Sequence, residues 1–157
     1  MPGRYYEDYE VGDVYQHAVR RTVTETDNVW FSAITHNPQP LHIDEEFART
    51  TLHGTRIVNS LFTLALVVGI GVEDTTFGTT LGNLGFEEVA FPAPVRHGDT
   101  IHAETEVVAK RESKSRFPSV VPKVVSSTPM PTTSASVNML FTIRVPWIVV
   151  RANSSSM

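Results

Sequence analysis

The stretch IVNSLFTLALVVGIGV, Ile57 to Val72, does most to limit what this chain can become. It is apolar on almost every side. A helix made from it cannot lie on a surface and has to be enclosed by protein. Its β-branched residues would also suit a strand, but its length favours a helix. Thr63 and Gly69 interrupt the longest apolar run, Leu61 to Ile70, which is too short to cross a bilayer. The material to enclose the helix follows it. GTTLGNLGFEEVAF, DTIHAETEVVAK and VNMLFTIRVPWIVV read as strands, with PAPVRHGD as the turn between the first two. A long helix followed by strands with no helix between them predicts an α+β architecture, an antiparallel sheet wrapped around a central helix.

Upstream, RRTVTETD (Arg20 to Asp27) alternates β-branched and polar residues and predicts a strand with an exposed face. Thr26 or Asp27 is then placed to cap a helix through NVWFSAIT. The Asn-Pro and Gln-Pro pairs of HNPQPLH stop that helix, because a residue before proline is pushed out of the α region. DEEFARTT is a short helix with Asp44 as its cap, and LHGTR a turn. The segment FPSVVPKVVSSTPMPTTSAS, Phe117 to Ser136, breaks the series. Rich in Ser, Thr and Pro, it reads as a mobile loop. A loop that long is unusual inside a compact domain.

The chain has 157 residues, enough for one domain over residues 1–157 with a sizeable core. Hydrophobic residues make up 41% and charged residues 19%, as in a soluble globular protein. The formal net charge is −4, from 17 acidic against 13 basic side chains, with no run of Lys or Arg. Nucleic-acid and membrane partners are therefore not expected. There is no cysteine, which removes disulfides, thiolate metal sites and Cys nucleophiles. The start, MPGRYYEDYEVGD, is polar and acidic, unlike a signal peptide. A cytoplasmic location is the expectation.

Taken in order, YYEDYEVGD, RTVTETD, NPQPLHIDEEFA, IVNSLFTLAL, GFEEVAFPAPVRHGDTI and RESKSR resemble the MaoC-like dehydratases, including the R-specific enoyl-CoA hydratases. The similarity runs over about residues 4 to 116. It implies the hot-dog fold, a dimer formed by sheet pairing, and sites at the subunit interface that bind acyl-thioesters. It also implies no metal or redox cofactor, with coenzyme A present only as part of the substrate. The family loop reads Asp-x-Asn-Pro-x-His, with Asp and His as the catalytic pair. Aligning its histidine on His42 puts Gln39 where the family has Asn and Asn37 where it has the catalytic Asp. The family's His-Gly at the helix start, whose glycine amide serves the oxyanion hole, is here Asn59-Ser60. The pattern NxQPLH…VNS resembles the branch tied to mesaconyl-CoA-like and methyl-branched acyl-CoA substrates.

The chemistry implied is addition of water across an α,β-unsaturated thioester. It needs a base for water, an acid for Cα, and donors for the charge that develops on the thioester oxygen. An imidazole titrating near neutrality can fill both proton roles, so His42 is the expected catalytic group. Asn37 cannot take a proton at neutral pH, but it and Gln39 can hold a water or simply satisfy the turn. Amides at the helix start near Asn59 and Ser60 suit the oxyanion, since the helix dipole reinforces them. Asp44 and Glu87 are the carboxylates nearest the motif that would replace the missing aspartate, with Asp44 better explained as a cap. His36, with no clear third ligand nearby, does not suggest a metal site. His97 and His102, which flank the HGDT turn, read as surface residues. The rivals are a hot-dog thioesterase and a non-catalytic acyl-CoA-binding subunit. The first needs a carboxylate on the central helix, which has none before Glu73.

Family members continue past RESKSR differently from this chain. A pair of compensating frame changes around Phe117 and Val137 would account for residues 117–137, as would disorder. The nucleotide sequence decides between them.

Overall fold

The structure, a computed structural model, describes residues 3–83, 85–86, 89–111, 119–127, 141–144 and 148–150, the last three segments by backbone only. A 3-10 turn, Tyr6–Asp8, precedes β1 (Val14–Thr22). Then come α1 (Glu25–Ile34), α2 (Pro40–Ile43), α3 (Glu45–Arg49) and the long α4 (Ser60–Thr75). The remaining strands are β2 (Thr80–Asn83), β3 (Thr100–Arg111), β4 (Ser119–Ser127), β5 (Phe141–Arg144) and β6 (Ile148–Val150). All six strands form one sheet in the order β1-β3-β4-β6-β2, with β5 also paired to β4. Every pairing is antiparallel.

β3 shows why the sheet covers α4. Along it Ile101, Ala103, Thr105 and Val107 are buried, while His102, Glu104, Glu106 and Val108 between them are half-buried. That alternation presents one face to the helix. There Ile101 and Ala103 join Val67 and Ile70 of α4, with Val23, Val58 and Val95, in the main core. Gly71 marks a close approach of helix to sheet. A Cβ at that position would stand 3.1 Å from Nε2 of His17 on β1, tighter than side chains normally tolerate.

Several expectations shift. β1 starts at Val14 rather than Arg20 and ends at Thr22. The cap of α1 is Thr24, not Thr26 or Asp27. Its hydroxyl accepts from Asp27 N while Asp27 Oδ2 accepts from Thr24 N, a reciprocal pair that outcompetes a later start. α4 starts at Ser60, with residues 56–59 as a non-helical lead-in, and runs on to Thr75. It is not covered all round: Leu61, Ala65, Gly69 and Val72 face outward from this single chain. Of the strand expected over residues 78–91, the described residues form strand at Thr80–Asn83. The segment expected as a loop or as disorder over 117–137 contains β4, because Pro122 and the serines interrupt a run of valines with strand propensity. Residues 117–118 and 128–137 lie outside those described. The strand expected over 137–150 is two strands, β5 and β6.

Candidate active site

The loop after α1 is set by how that helix ends. His36 takes a left-handed backbone, φ 52°. His36 N then donates to Ala33 O (3.2 Å) and Asn37 N to Ser32 O (2.9 Å). This pair of bonds closes the helix one residue before the first proline, and glycine usually takes the left-handed position. Pro40 opens α2 at its first turn, where a missing N–H does no harm. α2 is a single turn the sequence did not reveal, and it carries His42. Asp44 caps α3, its Oδ1 accepting from Phe47 N at 3.0 Å.

His42 is half-buried, with Nδ1 3.0 Å from the carbonyl oxygen of Ile57. A carbonyl only accepts, so Nδ1 carries a proton, and in the neutral ring Nε2 keeps the lone pair. Ile57 N donates back to Leu41 O (3.2 Å), lacing the loop to the lead-in of α4. Arg56 secures the same lead-in. Its guanidinium bridges Glu25 of α1 (2.7 Å) and Glu45 of α3 (3.0 Å). The bond to Arg56 holds the Glu45 carboxyl below its ordinary range.

At the start of α4, Asn59 is the cap, with Oδ1 accepting from Leu61 N at 3.0 Å. Asn59 N donates to Asn28 Oδ1 (2.8 Å), and Thr63 N to Asn59 O (3.2 Å). The first-turn amides of Ser60 and Phe62 are engaged by none of these bonds, so the Ser60 amide is a better candidate donor than that of Asn59. Asn59 Nδ2, Ser32 Oγ and Thr63 Oγ1 are buried with no partner among the described residues.

Asn28 was missed by the sequence reading. It is completely buried on α1. Besides accepting from Asn59, it turns the two hydrogens of Nδ2 toward three acceptors, His42 O (2.9 Å), His97 Nε2 (3.0 Å) and Ile57 O (3.2 Å), so that one N–H is shared between two of them. The one available signal was an Asn–Ser pair, Asn28 and Ser32, at helical spacing on what has to be the inner face. His97 is correspondingly no surface residue. It is half-buried, and desolvation, then the nearby Arg56 charge, lowers its pKa from the ordinary histidine value.

The structure thus brings His42, Asn59 and Ser60 to one place. Asn37 and Gln39 stay on the loop. Asn37 Oδ1 accepts from Gln39 N (3.2 Å), and Gln39 O accepts from His42 N (3.0 Å). Asn37 also lines a cavity of about 410 Å³ with Val29, Ser32, His36 and Ile43. Glu87 lies outside the described residues. Among the described residues no helix is long and apolar enough to cross a membrane.

Residues 8–129 match the family model of the MaoC like domain. Mesaconyl-CoA hydratase of Cereibacter sphaeroides is 34% identical over 119 residues, covering 76% of this chain and 34% of that protein. 3-Hydroxybutyryl-CoA dehydratase of Methylorubrum extorquens is 35% identical over 107 residues, covering 66% of this chain and 63% of that protein. This chain therefore spans about a third of the first relative and under two thirds of the second. The crystal structure of a monoamine oxidase regulatory protein from Archaeoglobus fulgius superposes with a TM-score of 0.81 at 27% identity, covering 98% of this chain and 97% of that one. The sheet wrapped on a central helix is the hot-dog fold.

Proposed function

The chain belongs to the MaoC-like domain family, and from that premise we propose that it is a hydro-lyase that adds water across the double bond of an α,β-unsaturated acyl-CoA, or removes it in reverse. The observation that carries the reading is the His42 imidazole, pinned through Nδ1 beside the first turn of α4 with its other nitrogen unengaged among the described residues. As the water oxygen bonds to Cβ, Nε2 takes one of its protons. The electron pair of the double bond moves onto the thioester, and the enolate oxygen is met by the Ser60 amide at the positive end of the helix. Nε2–H then returns the proton to Cα, so water is added with no net change in the enzyme. Asn37 and Gln39, on the loop that leads into His42, would hold the attacking water. Asp44 is occupied as a cap, so one imidazole serves as both base and acid.

The substrate we propose is mesaconyl-CoA-like or methyl-branched. Two things favour it: the name of the Cereibacter relative, and Asn37 standing where the family has a catalytic aspartate. With no carboxylate there, a substrate bearing its own carboxylate meets less repulsion. The enzyme would work as a homodimer, the second copy covering the outward face of α4. The test follows the conjugated-bond absorbance of crotonyl-, mesaconyl- and branched enoyl-CoAs alongside release of free thiol. Loss of conjugation without thiol is expected, fastest with mesaconyl-CoA. Thiol release would make the protein a thioesterase. Neither signal would make it an acyl-CoA-binding subunit. Much faster turnover of crotonyl-CoA would end the substrate assignment.

A further inference from the structure

We infer that Asn28 is a positioning residue for the hydration: one buried amide holds the His42 imidazole and the first turn of α4 in a fixed relation. This rests on the reading of His42 given above. The geometry is unusually complete. Asn28 Oδ1 accepts from Asn59 N, so it fixes the residue that caps α4. Asn28 Nδ2 donates to His42 O on the turn that bears the imidazole. It also donates to Ile57 O, the same oxygen that receives the His42 Nδ1 proton. The imidazole and the Ser60 amide sit on separate segments, and Asn28 bonds to the backbone of each, at His42 O on one and at Asn59 N, next to Ser60, on the other. No other residue type of this size offers two donors and an acceptor in one plane.

Three consequences follow from removing it. Ile57 O and His42 O lose a donor, and Asn59 N, on a buried residue, loses its acceptor. The imidazole is then free to turn. Its tautomer is no longer set by a rigid acceptor, so Nε2 carries the proton part of the time and cannot take another from water. A displacement of about 1 Å in a catalytic group is enough for a rate loss on the order of 10²-fold.

The fourth contact gives an independent handle. His97 Nε2 accepts from Asn28 Nδ2, which requires a neutral imidazole with its proton on Nδ1. The charged side chains that influence His97 are Arg56, Glu25 and Glu45. A carboxylate at position 28 would add an opposite charge in direct contact.

The experiment compares wild type, Asn28→Ala and Asn28→Asp, by enoyl-CoA kinetics and by long-range 1H–15N spectra of the histidine rings. In Asn28→Ala we expect kcat to fall by about 10- to 100-fold with KM little changed, and His42 to populate both tautomers. Asn28→Asp keeps the acceptor for Asn59 N but has no N–H for the two carbonyls. It should therefore stay defective in kcat while His97 titrates higher than in wild type. If Asp restores full kcat, Asn28 only satisfies Asn59 and the inference is overturned. An unchanged His42 tautomer in Asn28→Ala overturns it equally. Should wild type hydrate no enoyl-CoA, the proposed function falls, while the tautomer and His97 titration still decide whether Asn28 sets the imidazole. If neither variant folds, the wild-type spectrum decides. The proton must sit on His42 Nδ1, and the Asn28 side-chain amide must be protected from exchange; a proton on Nε2 or a freely exchanging amide would overturn the inference.

Discussion

Near its C-terminal end α4 meets a histidine with both ring nitrogens bonded; near its N-terminal end it meets one with only one. His17, side chain fully buried, sets Nδ1 3.0 Å from Asp74 on the last turn of α4 and Nε2 2.8 Å from Thr105 Oγ1 on β3. Around it Tyr9 OH and Arg4 N both donate to Thr75 O at 2.7 Å. His42 spends only Nδ1, on Ile57 O. Among the described residues, buried side-chain atoms of α1 and α4 without a partner lean the same way. Ser32 Oγ, Asn59 Nδ2 and Thr63 Oγ1 belong to the facing turns of α1 and α4, against Thr79 Oγ1 past the other end. Buried polar atoms are normally satisfied, and these three lie at the end where the proposed site stands. One end of the rod is closed by its own hydrogen bonds, and the other is where the proposed site stands.

The sharpest way to break this contrast is at His42. His42→Ala should lower kcat/KM for enoyl-CoA hydration by about 10²- to 10⁴-fold, the usual worth of a positioned acid–base group. Thermal stability should fall by only about 1 kcal/mol, for one hydrogen bond at a half-buried site. Steady-state kinetics and a melting curve on one preparation measure both. A variant that retains most of its turnover would leave the open nitrogen without a role.

His17 is the counterpart. His17→Ala should cost about 2–4 kcal/mol of stability, since it opens a cavity beside Gly71 and strands the buried hydroxyl of Thr105. Asp74, 45% exposed, can return to water and adds little to the loss. Urea unfolding measures it. A loss as small as that of His42→Ala would mean the two ends do not differ in the way described.

How much of this was legible in the sequence varies with the physics behind each element. α4, β3 and the cap at Asp44 could be read because periodicity and capping are local. β4 could not, because Ser- and Thr-rich composition suggested a loop, whereas its place is set by pairing with β3 across the sheet. Of the site, the loop motif identified His42. The structure added what holds it. Asn28 is joined to it by a bond spanning 14 residues of chain, and His97 to Asn28 by one spanning 69, and no short window contains such a link. His36 shows the same limit in miniature. The prolines of HNPQPLH accounted for the end of α1, yet the helix closes on a left-handed histidine that no propensity would choose.

That histidine supplies a smaller test. His36→Gly removes the side-chain strain of the left-handed backbone and should raise stability by about 0.5–1 kcal/mol, provided the gain exceeds the added flexibility of the unfolded chain. A melting temperature that fell would show that His36 contributes through the cavity it lines with Asn37.

The smallest expected effect is a slope. The His97 pKa is lowered in the fold, by burial first and Arg56 second, so the unfolded chain takes up this proton before the native protein does. Stability from this source is therefore fully present above the unfolded value of 6.5. It declines as pH falls below that value, until the native imidazole is itself protonated. Protonation also places an N–H against the Nδ2 of Asn28, where a lone pair was accepting. The comparison is the melting temperature of wild type and His97→Asn between pH 7.5 and 5. The rest of the chain is common to both proteins, so the difference between the two slopes isolates His97. Parallel curves would mean that the N-terminal end of α4 is insensitive to the charge on His97, and that its contact with Asn28 contributes nothing to keeping that end in order.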